Sequence, residues 1–209
     1  VNKIRNASEI KFKGNKELIE IIGQAIDDEY IKELTTISLS PEAISRHKDM
    51  KIVYTPIHGT GVKLVPAALK AYGFTNIIHV PEQDVVSGDF PTVISPNPEE
   101  PAALAMAVEK AKETDAELVM ASDPDADRVG AAVKNNEGEW VLLNGNQTAL
   151  MFVYYLITRW KELGKINGKE YIVKTIVTTE TIKTIAERNG VEMYDVYTCL
   201  LYTSPSPRD

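Results

Sequence analysis

The sequence predicts an α/β fold, and three observations carry the prediction. Helical apolar spacing alternates with short apolar runs along nearly the whole chain. The run Leu118, Val119, Met120, Ala121 is apolar at every position, as in a strand of a parallel sheet covered on both faces. Two runs open directly into loops bearing glycine or aspartate, the order of an α/β unit. No internal repeat accompanies the alternation.

Each element follows from its pattern. Over residues 15–34, Leu18, Ile19, Ile22, Ala25, Ile26, Tyr30, Ile31 and Leu34 recur at helical spacing, which predicts one amphipathic helix capped by Asn15. A polar connector, 35–49, leads to a strand at 51–55 and the loop Pro56, Ile57, His58, Gly59, Thr60, Gly61. Val62, Val65, Ala68, Leu69 and Tyr72 form the next helical face, which Gly73 stops, and 76–80 reads as a strand. Residues 81–96 contain proline and show no period, so they are either a functional loop or a domain edge. Asn97 as N-cap, Pro98 at the first helical position and Glu99 and Glu100 in the first turn predict a helix running to Thr114. The strand at 118–121 feeds Ser122, Asp123, Pro124, Asp125, Ala126, Asp127, Arg128. Strands at 129–133 and 140–143 flank a hairpin turn at Asn135, Asn136, Glu137, Gly138. A helix at 147–163, a strand at 171–177, a helix at 181–189 and a strand at 191–196 complete the pattern. Met151 to Tyr155 read as core on their helix, and Thr178 or Thr179 as a helix cap.

Composition narrows the classes. The 209 residues, 44% hydrophobic and 25% charged, suit one large domain or two modest ones but are few for an enzyme assembled from several. With 23 basic against 30 acidic residues, a net charge of -7 and no basic cluster, nucleic acid is not an expected partner. The longest uncharged run, 140–158, contains Asn144, Gly145, Asn146 and Gln147, so no membrane span of ~20 apolar residues is expected. The N-terminus lacks an initiator Met and the apolar core of a signal peptide, and is read as not the natural start. A single cysteine, Cys199, excludes an internal disulfide framework and makes a cytoplasmic setting the default.

The chemistry concentrates at Asp123, Asp125 and Asp127. Three carboxylates at i, i+2 and i+4 after a buried strand repel one another unless a cation compensates them. Oxygen donors without nearby His or Cys select a hard cation such as Mg²⁺, and Arg128 beside them suits a phosphate. An EF-hand needs Gly at position 6 and Glu at position 12, where Arg128 and Lys134 stand. A surface acidic turn and a phosphatase with an Asp nucleophile remain alternatives at this point.

These residues also carry a resemblance. Ser122 to Gly130, the stretch from Tyr54 to Gly61, Asp89, Phe90 and Pro91, and Pro96 to Glu100 together resemble the α-D-phosphohexomutase superfamily, in its bacterial phosphoglucomutase/phosphomannomutase branch that is also similar to phosphopentomutases. Many members carry Gly where this chain has Pro124 and Ala126.

The resemblance implies a three-layer mixed sheet with helices on both faces. It places the second domain of such an enzyme at 1–143, the first part of the third at 144–198, and a non-family tail at 199–209. It makes Asp123, Asp125 and Asp127 the Mg²⁺ ligands and Arg128 a phosphate contact, with His58 and Thr198 as further substrate-binding candidates. Thr198 matches a Thr-Gly-aromatic-Lys sugar loop, but Cys199, Leu200 and Leu201 follow it.

The implied reaction interconverts a hexose 1-phosphate and a hexose 6-phosphate through a phosphoserine and a sugar bisphosphate. The Ser-His-Asn-Pro phosphoserine signature, the sugar loop and the last phosphate clamp are missing from this sequence. The chain is therefore read as an inactive internal fragment of a longer mutase, whose missing domains are its partners. Apolar surface left uncovered by them predicts poor solubility. A phosphopentomutase and a non-catalytic module for phosphorylated ligands stand beside this reading.

Overall fold

The computed structural model describes residues 5–10 and 12–198. Its larger sheet has five strands: β1 (Lys51–Thr55), β2 (Asn76–His79), β3 (Leu118–Ser122), β4 (Val129–Lys134) and β5 (Trp140–Leu143). Their order is β2-β1-β3-β4-β5, with β2, β1 and β3 parallel and the last two antiparallel.

Side chains alternate across β1 and β3, so both faces need cover. Val53 on β1 and Val119 and Ala121 on β3 pack with Ala103, Leu104, Ala107 and Ala111 of α4 (Pro101–Thr114). Tyr54 and Ser122 point the other way, toward the start of α3 (Gly61–Tyr72), where their hydroxyls meet at 2.8 Å. Beyond α3 lies α1 (Gly23–Thr36), tied to it by the hydroxyl of Tyr72 on the Leu34 carbonyl. Helices thus cover both faces of a mixed sheet. Each fully buried Val, Leu or Ile in this core contributes about 1.5–3 kcal/mol by leaving water.

The connections decide where a site can form. The chain passes from β1 through α3 to β2 on one side, then through α4 back past β1 to β3 on the other. The loops leaving β1 and β3 therefore meet at the topological switch point, the usual crevice for ligands in open α/β sheets.

A second, smaller sheet pairs β6 (Tyr171–Thr175) with β7 (Glu192–Val196) in parallel across α6 (Thr181–Arg188). It packs on α5 (Gly145–Glu162) through Ile157, Ala186 and Val191, with Val153, Ile172 and Met193 at the margin. Asn144 caps α5 in a reciprocal pair with Gln147, which satisfies two end groups of the helix. No helix among the described residues is long and apolar enough to cross a membrane.

Several boundaries differ from the expectations. The helix expected over 15–34 begins at Gly23, whose φ of +60° breaks continuity with the residues before it. Asn15 caps only a 3-10 turn, accepting the Glu17 N–H at 3.1 Å. The connector at 35–49 contains a short helix, α2 (Pro41–Arg46), with Pro41 in its first turn.

The helix expected from Asn97 starts at Pro101, because a proline disfavours helical backbone at the residue before it. Glu100 is accordingly extended, and Asn97 forms a local turn by accepting the Glu99 N–H at 3.1 Å. Strand β6 ends at Thr175, where a turn closed by the Thr178 N–H stops it. Glu180 occupies the cap position of α6, while Thr179 only accepts the Thr181 N–H from outside the helix.

The largest departure concerns α5. Met151, Phe152, Tyr154 and Tyr155 are 40–59% exposed rather than core, because only the Val153 and Ile157 side of the helix faces β6 and β7. Cys199 and the proposed tail lie outside the described residues.

Candidate functional site

The three aspartates occupy the loop between β3 and β4, at the switch point. One carboxylate oxygen from each of Asp123, Asp125 and Asp127 lies within 4.8 Å of the other two. Ligand oxygens about 2.1 Å from a magnesium ion sit about 3–4 Å apart, so a small closure would bring this set onto one hard cation. The donor chemistry and the spacing fit Mg²⁺.

Local backbone explains the convergence. Ala126 has φ of +62° and donates its N–H to the Asp123 carbonyl at 3.0 Å, curling the loop so that alternate carboxylates turn to one side. Glycine adopts that conformation without penalty, whereas alanine holds it at a cost of about 1 kcal/mol.

The loop rests on its neighbours through close backbone contacts. Thr60, in the β1–α3 loop, gives both its N–H (2.9 Å) and its hydroxyl (3.1 Å) to the Pro124 carbonyl. A Cβ at Gly59 would overlap the Pro124 backbone, and one at Gly130 would overlap the Pro98 carbonyl. Glycine is required at both places by approach rather than by dihedral angle. An apolar groove lined by Tyr30, Leu64, Ala68 and Tyr72 adjoins Asp125 and Ala126.

Charge is unequally shared. Asp123 is buried, and Arg128 serves both of its oxygens: the backbone N–H donates to Oδ1 at 2.9 Å and Nε to Oδ2 at 2.8 Å. Burial pushes the Asp123 carboxyl up, but the hydrogen bonds from Arg128 and one from Asp127 outweigh it and hold the group below the ordinary carboxylate range. Asp127 moves the opposite way, raised by its hydrogen bond with Asp123 and by the charges of Asp125 and Asp123. Arg128 also reaches Asn97 Oδ1 at 3.5 Å, so its remaining exposed N–H groups are the ones open to a phosphate.

Two features bear on the alternatives raised from the sequence. Asp123 is buried, while Asp125 and Asp127 are exposed. An attacking Asp after β3 would be Asp123, which is buried with both oxygens engaged by Arg128.

The other expected site residues lie elsewhere. His58 is 1% exposed and does not open to the cleft: its ring nitrogens bond the Val85 carbonyl and the Thr92 hydroxyl, each at 2.8 Å. Thr198 is exposed just beyond β7, and no hydrogen bond among the described residues joins it to the aspartate loop. Sequence reasoning missed Thr60, whose contact with Pro124 spans 64 positions, and the reach of Asn97 to Arg128. The only signal for either was its place in a quoted motif.

Comparison with known proteins places the chain among phosphomutases. Residues 28–138 match the family model described as phosphoglucomutase/phosphomannomutase, alpha/beta/alpha domain II. A phosphoglucomutase of Staphylococcus haemolyticus is 32% identical over 201 residues, 94% of this chain and 35% of that protein. A probable phosphoribomutase of Schizosaccharomyces pombe is 39% identical over 152 residues, 72% of this chain and 26% of that one.

Among solved structures, a phosphoglucomutase/phosphomannomutase family protein of Burkholderia thailandensis shares the fold with a TM-score of 0.64 at 22% identity, covering 83% of this chain and 33% of that one. The N-acetylphosphoglucosamine mutase of Aspergillus fumigatus, solved in complex with GlcNAc-6P and magnesium, aligns with a TM-score of 0.57 at 16% identity, covering 84% of this chain and 36% of that one. The chain thus spans about a third of the length of the curated relatives it matches. The family match, which takes in strands β1 to β4 and the aspartate loop, places the chain in the phosphoglucomutase/phosphomannomutase family, as a bearer of its α/β/α domain II.

Proposed function

We propose that this chain is the metal-binding part of a Mg²⁺-dependent phosphohexomutase. The parent enzyme interconverts hexose 1-phosphate and hexose 6-phosphate through a phosphoserine and a sugar bisphosphate. The observation that carries the reading is the convergence of Asp123, Asp125 and Asp127 on one loop at the switch point. The Aspergillus mutase of similar fold, solved with magnesium, supports it.

Asp123, Asp125 and Asp127 hold the cation, which would neutralise charge on a transferring phosphoryl group. Arg128 orients Asp123 with its backbone N–H and Nε and offers its outer edge to the same phosphate. Ligand set and guanidinium together bind and orient a phosphate. Neither supplies a nucleophile, so the chain by itself does not turn over. Residues 1–143 are assigned to domain II and 144–198 to the first part of domain III, with Thr198 entering the sugar site only once that domain is complete. A cytoplasmic setting goes with the reading.

Calorimetric titration of the purified chain with MgCl₂ tests the proposal. One magnesium binds the native chain, and Asp125→Ala weakens that binding at least tenfold without unfolding it. No binding, or equal binding by the variant, overturns it. The phosphoribomutase relative favours a pentose phosphate as the second reading. Joining the chain to the domains it lacks and comparing glucose and ribose phosphates decides between the two.

A further inference from the structure

Beneath the β1–α3 loop runs a line of hydrogen bonds that joins it to the 81–96 segment. Thr55 Oγ1 accepts the Ile57 N–H (3.1 Å) and donates to Gln83 Oε1 (2.7 Å), and Gln83 Nε2 donates to Thr92 Oγ1 (3.2 Å). His58 Nδ1 faces the Val85 carbonyl, which can only accept, so Nδ1 carries the hydrogen. Thr92 Oγ1, which accepts from Gln83, also pairs with His58 Nε2 at 2.8 Å. The line therefore ends on the His58 ring, both of whose nitrogens are engaged.

His58 also ties the same segment by its backbone. Its N–H donates to the Gln83 carbonyl at 2.9 Å, and its own carbonyl accepts the Ser87 N–H at 3.1 Å. Backbone and ring together fasten the 81–96 segment to the β1–α3 loop. Ile57 and His58 hold φ of +46° and +62°, a strained conformation for non-glycine residues that persists only where surroundings over-determine it. The next two residues, Gly59 and Thr60, are those that seat Pro124 between Asp123 and Asp125.

We propose that His58 is a positioning residue for the cation site, acting through Thr60 on the Pro124 carbonyl rather than touching substrate. The inference rests on the metal reading above for its affinity arm alone. Bonds to the 81–96 segment hold the β1–α3 loop left-handed, and that loop sets the distance between the first two carboxylates. Losing the ring removes two of these bonds and lets Thr60 withdraw.

The test uses the full chain with His58→Ala, His58→Gln and Thr92→Val, and with Leu104→Ala as a destabilised control in the same core. Three quantities are measured: magnesium affinity by calorimetry, melting temperature, and hydrogen exchange at the Thr60 amide without metal. His58→Ala and Thr92→Val weaken magnesium binding about tenfold, the scale of losing a group that orients a ligand. Both speed exchange at Thr60. His58→Gln, which restores a hydrogen-bond partner for Thr92, recovers most of the affinity, and Leu104→Ala melts earlier with affinity unchanged.

Native affinity and a protected Thr60 amide in His58→Ala overturn the inference, as does an equal loss of affinity in Leu104→Ala. If His58→Ala does not fold, Thr92→Val decides on the same criteria. If the native chain binds no magnesium, the metal reading fails, and exchange at Thr60 still decides whether His58 positions the loop.

Discussion

The two sheets of this molecule are built to different standards. The five-stranded sheet is covered on both faces, and Val53, Ile57, Val80, Leu104 and Val119 are at most 1% exposed. The β6–β7 sheet has two strands, one helix layer and an outer face where Tyr171 is 63% exposed beside Tyr194, their rings in edge-to-face contact at 5.8 Å. Two strands alone are marginal, so this region depends on α5 and α6. Few contacts join the two regions: Tyr155 bonds Ser40, Arg159 bonds the Leu39 carbonyl, and Glu99 lies against Gly145. The difference teaches where a site can be kept precise. The aspartate loop hangs from the fully packed sheet, where side chains cannot shift without opening a cavity.

The strongest way to break this comparison is to truncate one apolar side chain in each region. Leu104→Ala should cost about 2–5 kcal/mol, the cavity cost of a buried leucine, while Tyr171→Ala should stay within about 1 kcal/mol. Urea unfolding measures both, and equal losses would show the two cores to be equivalent. Magnesium provides the next largest contrast. At about 100 times its dissociation constant a ligand adds ~2.7 kcal/mol, and here that gain should appear only in the first region. Trp140 and Trp160 report on the two regions separately by fluorescence in single-tryptophan variants.

The regions should also fail at opposite ends of the pH scale. Asp123, held below its ordinary value by Arg128 against the effect of burial, contributes stability present above pH 3.8 and lost as pH falls through its lower folded value. Asp127→Asn removes the opposing, raised neighbour and makes the acid transition of the Trp140 region easier to read. Lys174 is buried between Asp195 (2.6 Å) and Glu180 (2.7 Å), which raise it in that order. Its contribution is present below pH 10.5 and lost as pH rises through the higher folded value, so the Trp160 region melts first in alkali. Lys174→Met should abolish that order. The smallest effect is Ala126→Gly, which relieves a left-handed alanine and should gain about 1 kcal/mol in the first region alone.

Much of the site was legible in the residues themselves. The spacing of Asp123, Asp125 and Asp127 after an apolar strand announces a loop on which three carboxylates converge, and the run 118–121 announces a strand of the sheet interior. Gly73 and Pro101 mark helix ends that local sterics alone enforce, and Pro98, which offers the same signal as Pro101, lies before the helix. The chemistry of His58 suits a cleft as readily as a buried bridge, and nothing near it in sequence reveals Thr92.

What the sequence by itself determined is therefore local: the periods that make strands and helices, and the carboxylates that repel unless a cation joins them. Only the tertiary structure decided which groups meet. Sheet order sets Thr60 against Pro124 across 64 positions, buries Asp123 against Arg128, and leaves Phe152 and Tyr155 on an open face that their helical pattern assigned to a core. The physical reason is range. Backbone sterics and side-chain periodicity act over a turn or two, whereas burial and hydrogen-bond partnership are properties of surfaces that come together only when the strands take their places.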